Sequence, residues 1–389
     1  MKNQLSYGNH RTKNVSDMSG ANIVVCPAFC DVHVHFREPG YSYKETIRSG
    51  SLAAAAGGYT CVCTMPNLNP IPDSPENIGI QLDIIAKDAL VDVRPYASIT
   101  KGRKGLEVVD VKALKSCAVA FSDDGSGVQD ESVMRSAMEA VAEEGCVLAA
   151  HCEDNSLLRG GCIHDGRYAA EHGHRGICSE SEWGQIARDL KLAGETGCAY
   201  HVCHISTKES VELIRRAKDR GVDVSCETAP HYLLLSEDDL REDGRFKMNP
   251  PLRSREDRAA LIEGLQDGTI DMIATDHAPH SLEEKSKGLE GSAMGVSGLE
   301  AAFPVLYTGL VRTGLISLDR LVELMSLAPR RRFRLPEPED DCIEIDLDAA
   351  FRIDGASFNS KGHSTPFDGW KVYGRIVRTV YKGKTIYAL

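Results

Sequence analysis

Ala28-Phe29-Cys30-Asp31-Val32-His33-Val34-His35-Phe36-Arg37 reads as an apolar strand that ends on two histidines one residue apart and runs into Glu38-Pro39-Gly40. Side chains alternate across a strand, so His33 and His35 face the same way and can share one metal ion. Taken alone, a His-x-His at a strand end is more often satisfied by backbone or solvent. The decision between the two readings rests on the rest of the chain.

Outward from that strand, short β-rich apolar runs alternate with helical patterns. Strands are expected over 24–32, 60–64, 92–98, 117–122, 146–151, 198–204, 222–228 and 270–276, and helices over 45–56, 75–89, 130–144, 180–195, 206–220, 255–266 and 298–312. Eight strands interleaved with helices are most economically an α/β fold of the (β/α)8 TIM-barrel type, spanning residues 25–335. Gly57-Gly58 offers a left-handed stop to one helix, and Ser206-Thr207 before Glu209 an N-terminal cap to another. Arg330-Arg331-Arg332 reads as a solvated helix end. Beyond the acidic, proline-broken Pro336-Glu337-Pro338-Glu339-Asp340-Asp341, Ile343-Glu344-Ile345 and Val372 to Tyr387 alternate like antiparallel strands. Residues 1–24 and 336–389 are therefore expected to form a small β-sandwich appendage, reduced in so far as the poorly patterned Tyr7 to Gly20 contributes no strand.

The 389 residues carry a net charge of -12, which argues against nucleic acid and anionic membrane surfaces as partners. An acidic substrate must then meet locally placed cations. The thirteen cysteines are odd in number and scattered through apolar runs without a Cys-x-x-Cys pair, which suits a reducing compartment. Met1 to Ser19 is polar, and no apolar run reaches the roughly 18 residues needed to span a bilayer. The expectation is a cytoplasmic protein.

Metal-binding residues recur at the carboxyl ends of the expected strands: His151 after Ala149-Ala150, His204 after Val202-Cys203, and Asp276, His277 and His280 after Ile273-Ala274-Thr275. In a barrel those ends converge on one face. Each residue alone has a plainer use, as a hydrogen-bonded core histidine or a turn cap, but their joint placement favours a metal site. Phe121-Ser122-Asp123-Asp124-Gly125 adds two carboxylates, either an Asp-Gly turn or a bridge between two ions. A zinc-like ion would make hydroxide available near neutral pH, and Asp276 could take a proton and return it to a leaving nitrogen. Such a site hydrolyses amides, cyclic amides, esters or phosphoesters.

In order along the chain, His33-Val34-His35-Phe36-Arg37-Glu38-Pro39-Gly40, Thr64-Met65-Pro66-Asn67, Phe121-Ser122-Asp123-Asp124-Gly125, His151-Cys152-Glu153-Asp154, His204-Ile205-Ser206-Thr207, Lys247-Met248-Asn249-Pro250-Pro251-Leu252-Arg253 and Thr275-Asp276-His277-Ala278-Pro279-His280 resemble the motifs of bacterial type I dihydroorotases, of the amidohydrolase superfamily. The resemblance runs from about Val25 to the C-terminus. It implies one or two Zn2+ ions per subunit, with His33, His35 and Asp276 on one, His151 and His204 on a second, and Asp124 rather than Asp123 as the bridge. It assigns Arg37, Asn67 and His280 to the substrate carboxylate, and Asn249 with the Met294-Gly295 backbone to the ring. The implied reaction is the reversible cyclisation of N-carbamoyl-L-aspartate to L-dihydroorotate in pyrimidine synthesis, with Asp276 as general acid and base. A small-molecule substrate, a homodimer and association with aspartate transcarbamoylase are the implied partners. Arg37, Asn67 and Asp124 together set this reading above a hydantoinase or allantoinase, and the complete ligand set sets it above a silent scaffold. Ser281 to Ser297 reads as an exposed loop, with a mobile lid as the alternative, and Cys152 and Cys203 read as core residues turned away from the ligands.

Overall fold

Phe29–Val34, buried along its whole length, pairs in parallel with Tyr59–Thr64, which pairs with Asp92–Pro95. Val147–Ala150, Ala199–Val202, Val224–Thr228 and Met272–Ile273 form a second parallel sheet in that order. Parallel bridges link the two sheets on both sides, Ala97 to Phe121 and Phe121 to Leu148 on one, Val34 to His277 on the other. The computed structural model describes residues 13–16 and 22–389; most of the 7–20 stretch and of the proposed 1–24 segment lies outside the described residues.

Helices Ile47–Ala56, Pro75–Asp88, Glu131–Glu143, Glu180–Thr196, Lys208–Asp219 and Arg255–Asp267 fall where apolar periodicity puts them. Alternation along the strands sorts their residues into two clusters. Phe29 and Val62 pack with the helices, while Cys30, Val32, Cys61 and Cys63 pack with Tyr96, Ala149 and Met272 in a smaller cluster; an irregularity between Asp31 and Val34 breaks the alternation and puts Val34 with the first group. Gly57 is right-handed and Gly58, at φ +87, supplies the left-handed stop. Thr207 caps Lys208–Asp219 by accepting from Ser210 N, while Ser206 bonds the buried Glu182 instead.

Several expectations need correction. The stretch 24–32 is two strands, Asn22–Pro27 and Phe29–Val34, because Pro27 has no N–H to continue a ladder and the chain changes sheet at Ala28. The 117–122 run pairs only around Val119 and Phe121 before the chain turns at Ser122. The 298–312 helix is Ala302–Leu306 followed by a π-helical turn at Tyr307–Val311. A helical stretch from Leu318 to Phe333, interrupted by a second π turn, went unread. Within it Arg330 is buried, not solvated: its guanidinium donates to the carbonyl of Pro336 and to Thr60 Oγ1.

The appendage, among the described residues, is one five-stranded antiparallel sheet ordered Lys13–Ser16, Asn22–Pro27, Cys342–Arg352, Lys371–Tyr381 and Lys384–Ala388. Its buried Val24, Cys26, Ile343, Ile345 and Val372 join the same apolar cluster as the helices. All thirteen cysteines carry free thiols. Among the described residues no helix is long and apolar enough to cross a membrane.

Candidate metal centre and substrate pocket

Five side chains from four strand ends gather about the Asp124 carboxylate. Its Oδ1 lies 3.3 Å from His33 Nε2, 3.4 Å from His204 Nε2 and 3.7 Å from His151 Nδ1, and its Oδ2 lies 3.6 Å from His35 Nε2. Asp276 Oδ1 is 3.1 Å from His35 Nε2 and 3.6 Å from His33 Nε2. Asp123, one residue away, turns the other way: it accepts from the amides of Ile99 and Thr100 and from the Thr100 hydroxyl.

These groups fit divalent ions. Candidate ligand atoms of His33, His35 and Asp124, and separately of Asp124, His151 and His204, lie within 4.8 Å of one another. His33 Nε2 and Asp124 Oδ1 are buried without a hydrogen-bond partner, a costly state for polar atoms that a cation would relieve. His204 and Asp276 also sit at φ +31 and +47, a left-handed backbone that non-glycine residues adopt at a cost of roughly 1–3 kcal/mol. Burial pushes the Asp124 and Asp276 carboxyls up, but the surrounding imidazoles outweigh it and hold both well below the usual carboxylate range.

A second layer aims the histidines. Glu227 Oε1 accepts from His33 Nδ1 at 2.6 Å, leaving Nε2 for the cluster; its other oxygen is 3.2 Å from His201. Burial opposes the charge on Glu227, yet His33 and His201 hold its pKa at about 2. The Asn67 amide bonds His35 Nδ1 through its oxygen and Asp124 through its nitrogen. Asp31 joins the first strand to the last by accepting from His33 N and from Thr275. Glu227 was not singled out from sequence, and Asp31 and Glu153 entered only as members of quoted motifs without a role; for Glu227 and Asp31 a lone carboxylate inside a strand run was the available signal.

The cluster opens into a cavity of about 220 Å³ lined also by Arg37, Asn67, Asn249, His280, Met294 and Gly295. Arg37 donates to the carbonyl of Pro279 and lies 3.5 Å from His280 Nε2. His280 Nε2 bonds Met294 O at 2.8 Å, while Lys44 donates to its Nδ1 at 3.2 Å, so the ring is neutral with its proton on Nε2. Burial, then Arg37 and Lys44, push the His280 pKa down to about 3. Asn249 donates to Glu153, whose other oxygen is 3.4 Å from His151 Nε2.

Two further expectations change here. The 281–297 segment is not an exposed loop but two short helices, Leu282–Lys285 and Gly288–Gly291, fastened by the buried Lys285. Cys152 does turn away, towards Tyr200 and Asp189, but Cys203 lies inward, its Sγ grouped with His33 and Glu227.

A family model described as dihydro-orotase-like matches residues 22–210. A protein of Ligilactobacillus salivarius named dihydroorotase is 49% identical over 384 residues, covering 96% of this chain and 90% of its own length. The Fusobacterium nucleatum protein of the same name is 50% identical over 382 residues, covering 96% and 89%. Among solved structures, the L-hydantoinase (dihydropyrimidinase) of Arthrobacter aurescens superposes with a TM-score of 0.83 at 28% identity, covering 95% of this chain and 87% of that one. The dihydropyrimidinase of Brevibacillus agri shares the fold, at a TM-score of 0.78 and 19% identity over 94% and 85%.

Proposed function

The chain belongs to the dihydroorotase family of metal-dependent cyclic amidohydrolases, and from that premise we propose which of its residues carry the reversible cyclisation of N-carbamoyl-L-aspartate to L-dihydroorotate. His33, His35 and Asp276 would hold one divalent ion and His151 and His204 a second, with the Asp124 carboxylate available to both. The observation that carries this reading is the approach of His33, His204, His151 and His35 nitrogens to one Asp124 carboxylate whose Oδ1 makes no hydrogen bond. The ring of strand pairings supports a closed (β/α)8 barrel as the scaffold, with the site at the carboxyl ends of its strands.

An ion in this position supplies Lewis acidity and brings the pKa of water down to about 7. Asp276 lines the cavity and stays ionised, so it can accept the proton of the attacking water and deliver it to the departing ring nitrogen. In cyclisation the proton moves the opposite way, from the carbamoyl nitrogen through Asp276 to the leaving oxygen. Arg37 offers a planar fork of donors to the substrate carboxylate, and neutral His280, its Nε2–H held by Met294 O, stands beside that fork and turns towards the substrate only by giving up the Met294 bond. Asn67 stands at the same wall with its amide already shared between His35 and Asp124, so its contact with the substrate also touches the metal ligands. Asn249 and the Met294-Gly295 backbone face the ring.

The test is turnover of L-dihydroorotate and N-carbamoyl-L-aspartate by zinc-replete protein, with hydantoin and allantoin as competitors and Asp276→Asn as control. Selective turnover that falls by about 10²–10⁴ in the control supports the assignment. Preference for hydantoin or allantoin overturns the substrate, and full activity in Asp276→Asn overturns the proton carrier. The same family reading carries zinc as the metal, a homodimer as the assembly, aspartate transcarbamoylase as a partner and the cytoplasm as the location. Elemental analysis and sedimentation, alone and mixed with that enzyme, test the first three.

A further inference from the structure

Lys285 has 5% of its surface exposed and makes no ion pair with a carboxylate among the described residues. Its Nζ donates instead to three backbone carbonyls, Lys247 O at 3.0 Å, Ala293 O at 2.8 Å and Gly295 O at 2.7 Å. Burying a cation is expensive, and an aliphatic side chain of the same length would fill the space without that cost. The charge is therefore spent on geometry: it gathers donors at one point where three carbonyls from two segments converge.

Those segments are the walls of the cavity. Lys247 lies two residues before Asn249, and Ala293 and Gly295 flank Met294. Gly295 N also donates to Lys247 O at 3.0 Å, so the two walls meet edge to edge at the ammonium. Little slack exists on the far side. Gly295 has φ +136, and a Cβ there would fall 2.5 Å from Ala278 O and 3.2 Å from the His280 ring. A shift of the Gly295 wall thus reaches His280, the group facing the substrate carboxylate.

We propose that Lys285 is a positioning residue for substrate recognition, fixing the separation of the Asn249 wall from the Met294-Gly295 wall and so the aperture that fits the dihydroorotate ring. The inference rests on the reading of that cavity as the dihydroorotate site. Lys285 touches neither metal ligands nor substrate and acts through the two backbone segments. It faces Lys247, Asp243 and, across the Gly295 wall, the His280 ring besides the carbonyls; burial first, and then Lys247, lower its pKa to about 7, with Asp243 opposing. Above neutrality a neutral amine keeps only two N–H groups for three carbonyls, and the aperture loosens.

The experiment compares zinc-loaded wild type, Lys285→Met and Lys285→Gln for KM and kcat with L-dihydroorotate between pH 6 and 9, alongside melting temperature and bound zinc. The expected result is a KM raised about tenfold in Lys285→Met with kcat changed less than about threefold, Lys285→Gln falling between, and zinc content unchanged. Wild-type KM should rise through pH 7 to 8, and the Met variant should lose that limb. A wall group of purely structural importance would lower the melting temperature and leave the KM of the folded enzyme alone. Normal wild-type turnover with a Met-variant KM within about twofold of wild type overturns the assignment to Lys285 and spares the site. No wild-type turnover at all overturns the site reading beneath it. Should neither variant fold, a wild-type KM that is flat from pH 6 to 9 overturns the proposal, and a rise above pH 7 supports it.

Discussion

Asp123 and Asp124 show how far a single residue step separates two carboxylates in a turn. Asp124 faces four imidazoles, whereas Asp123 takes up the amides of Ile99 and Thr100. Asp124→Asn should therefore lose bound metal and activity together. Asp123→Asn should keep its metal and cost about 1–3 kcal/mol of stability through the hydrogen bonds it weakens; elemental analysis with denaturant melts separates the two, and equal metal loss in both variants would contradict the assignment. Arg37→Met should raise KM more than it lowers kcat if, as proposed, the fork meets the substrate carboxylate rather than the reacting atoms. At this scale the clustering of His33, His35, His151, His204 and Asp276 was legible because each lies at or just beyond a strand end, on the face where such ends converge. Glu227 and Asp31 were not, since their value lies in which imidazole or hydroxyl they meet across the fold, and a sequence pattern holds no such distance.

Elements were legible where one period governs the whole segment, as in Glu131–Glu143 or Arg255–Asp267. They were misread where the backbone changes period or partner: at Pro27-Ala28, where one apolar run serves two sheets, and in the two π turns, whose wider spacing shifts the apolar face. Arg330 belongs to the second case, its charged run looking solvated although its carbonyl and hydroxyl acceptors lie inside the fold. Arg330→Met should cost about 2 kcal/mol in a denaturant melt while leaving KM unchanged, since the residue ties a helix to the sheet and lies away from the cavity. The segment leading into the Leu282–Lys285 helix carries a pH signature at His280, whose native pKa is about 3 against roughly 6.5 in an unfolded chain. A depressed native value means that the unfolded chain binds the proton first. The stability this gives is present above pH 6.5 and is lost as pH falls towards 3. His280→Asn should flatten that part of the acid limb; an unchanged pH dependence would assign the limb to other groups.

For the whole molecule, the metal cluster is a point of convergence for strands from both parallel sheets, so its occupancy should be a stability term as well as a catalytic one. Chelation should abolish turnover and lower the melting temperature by several degrees, since a ligand at about 1,000 times its Kd adds roughly 4 kcal/mol. A melt indifferent to chelator would mean that the strand ends hold without the ion. The antiparallel sheet was anticipated from the alternating C-terminal pattern, but its intimacy with the first metal strand was not. Asn22–Pro27 leads into the Phe29–Val34 strand that carries His33, and its neighbour is Cys342–Arg352. Synthesis runs from the N- to the C-terminus, so Asn22–Pro27 is made before the Cys342–Arg352 strand that pairs with it. A ribosome stalled before residue 342 would present every proposed metal ligand while Asn22–Pro27, which leads into the His-x-His strand, lacks its Cys342–Arg352 neighbour.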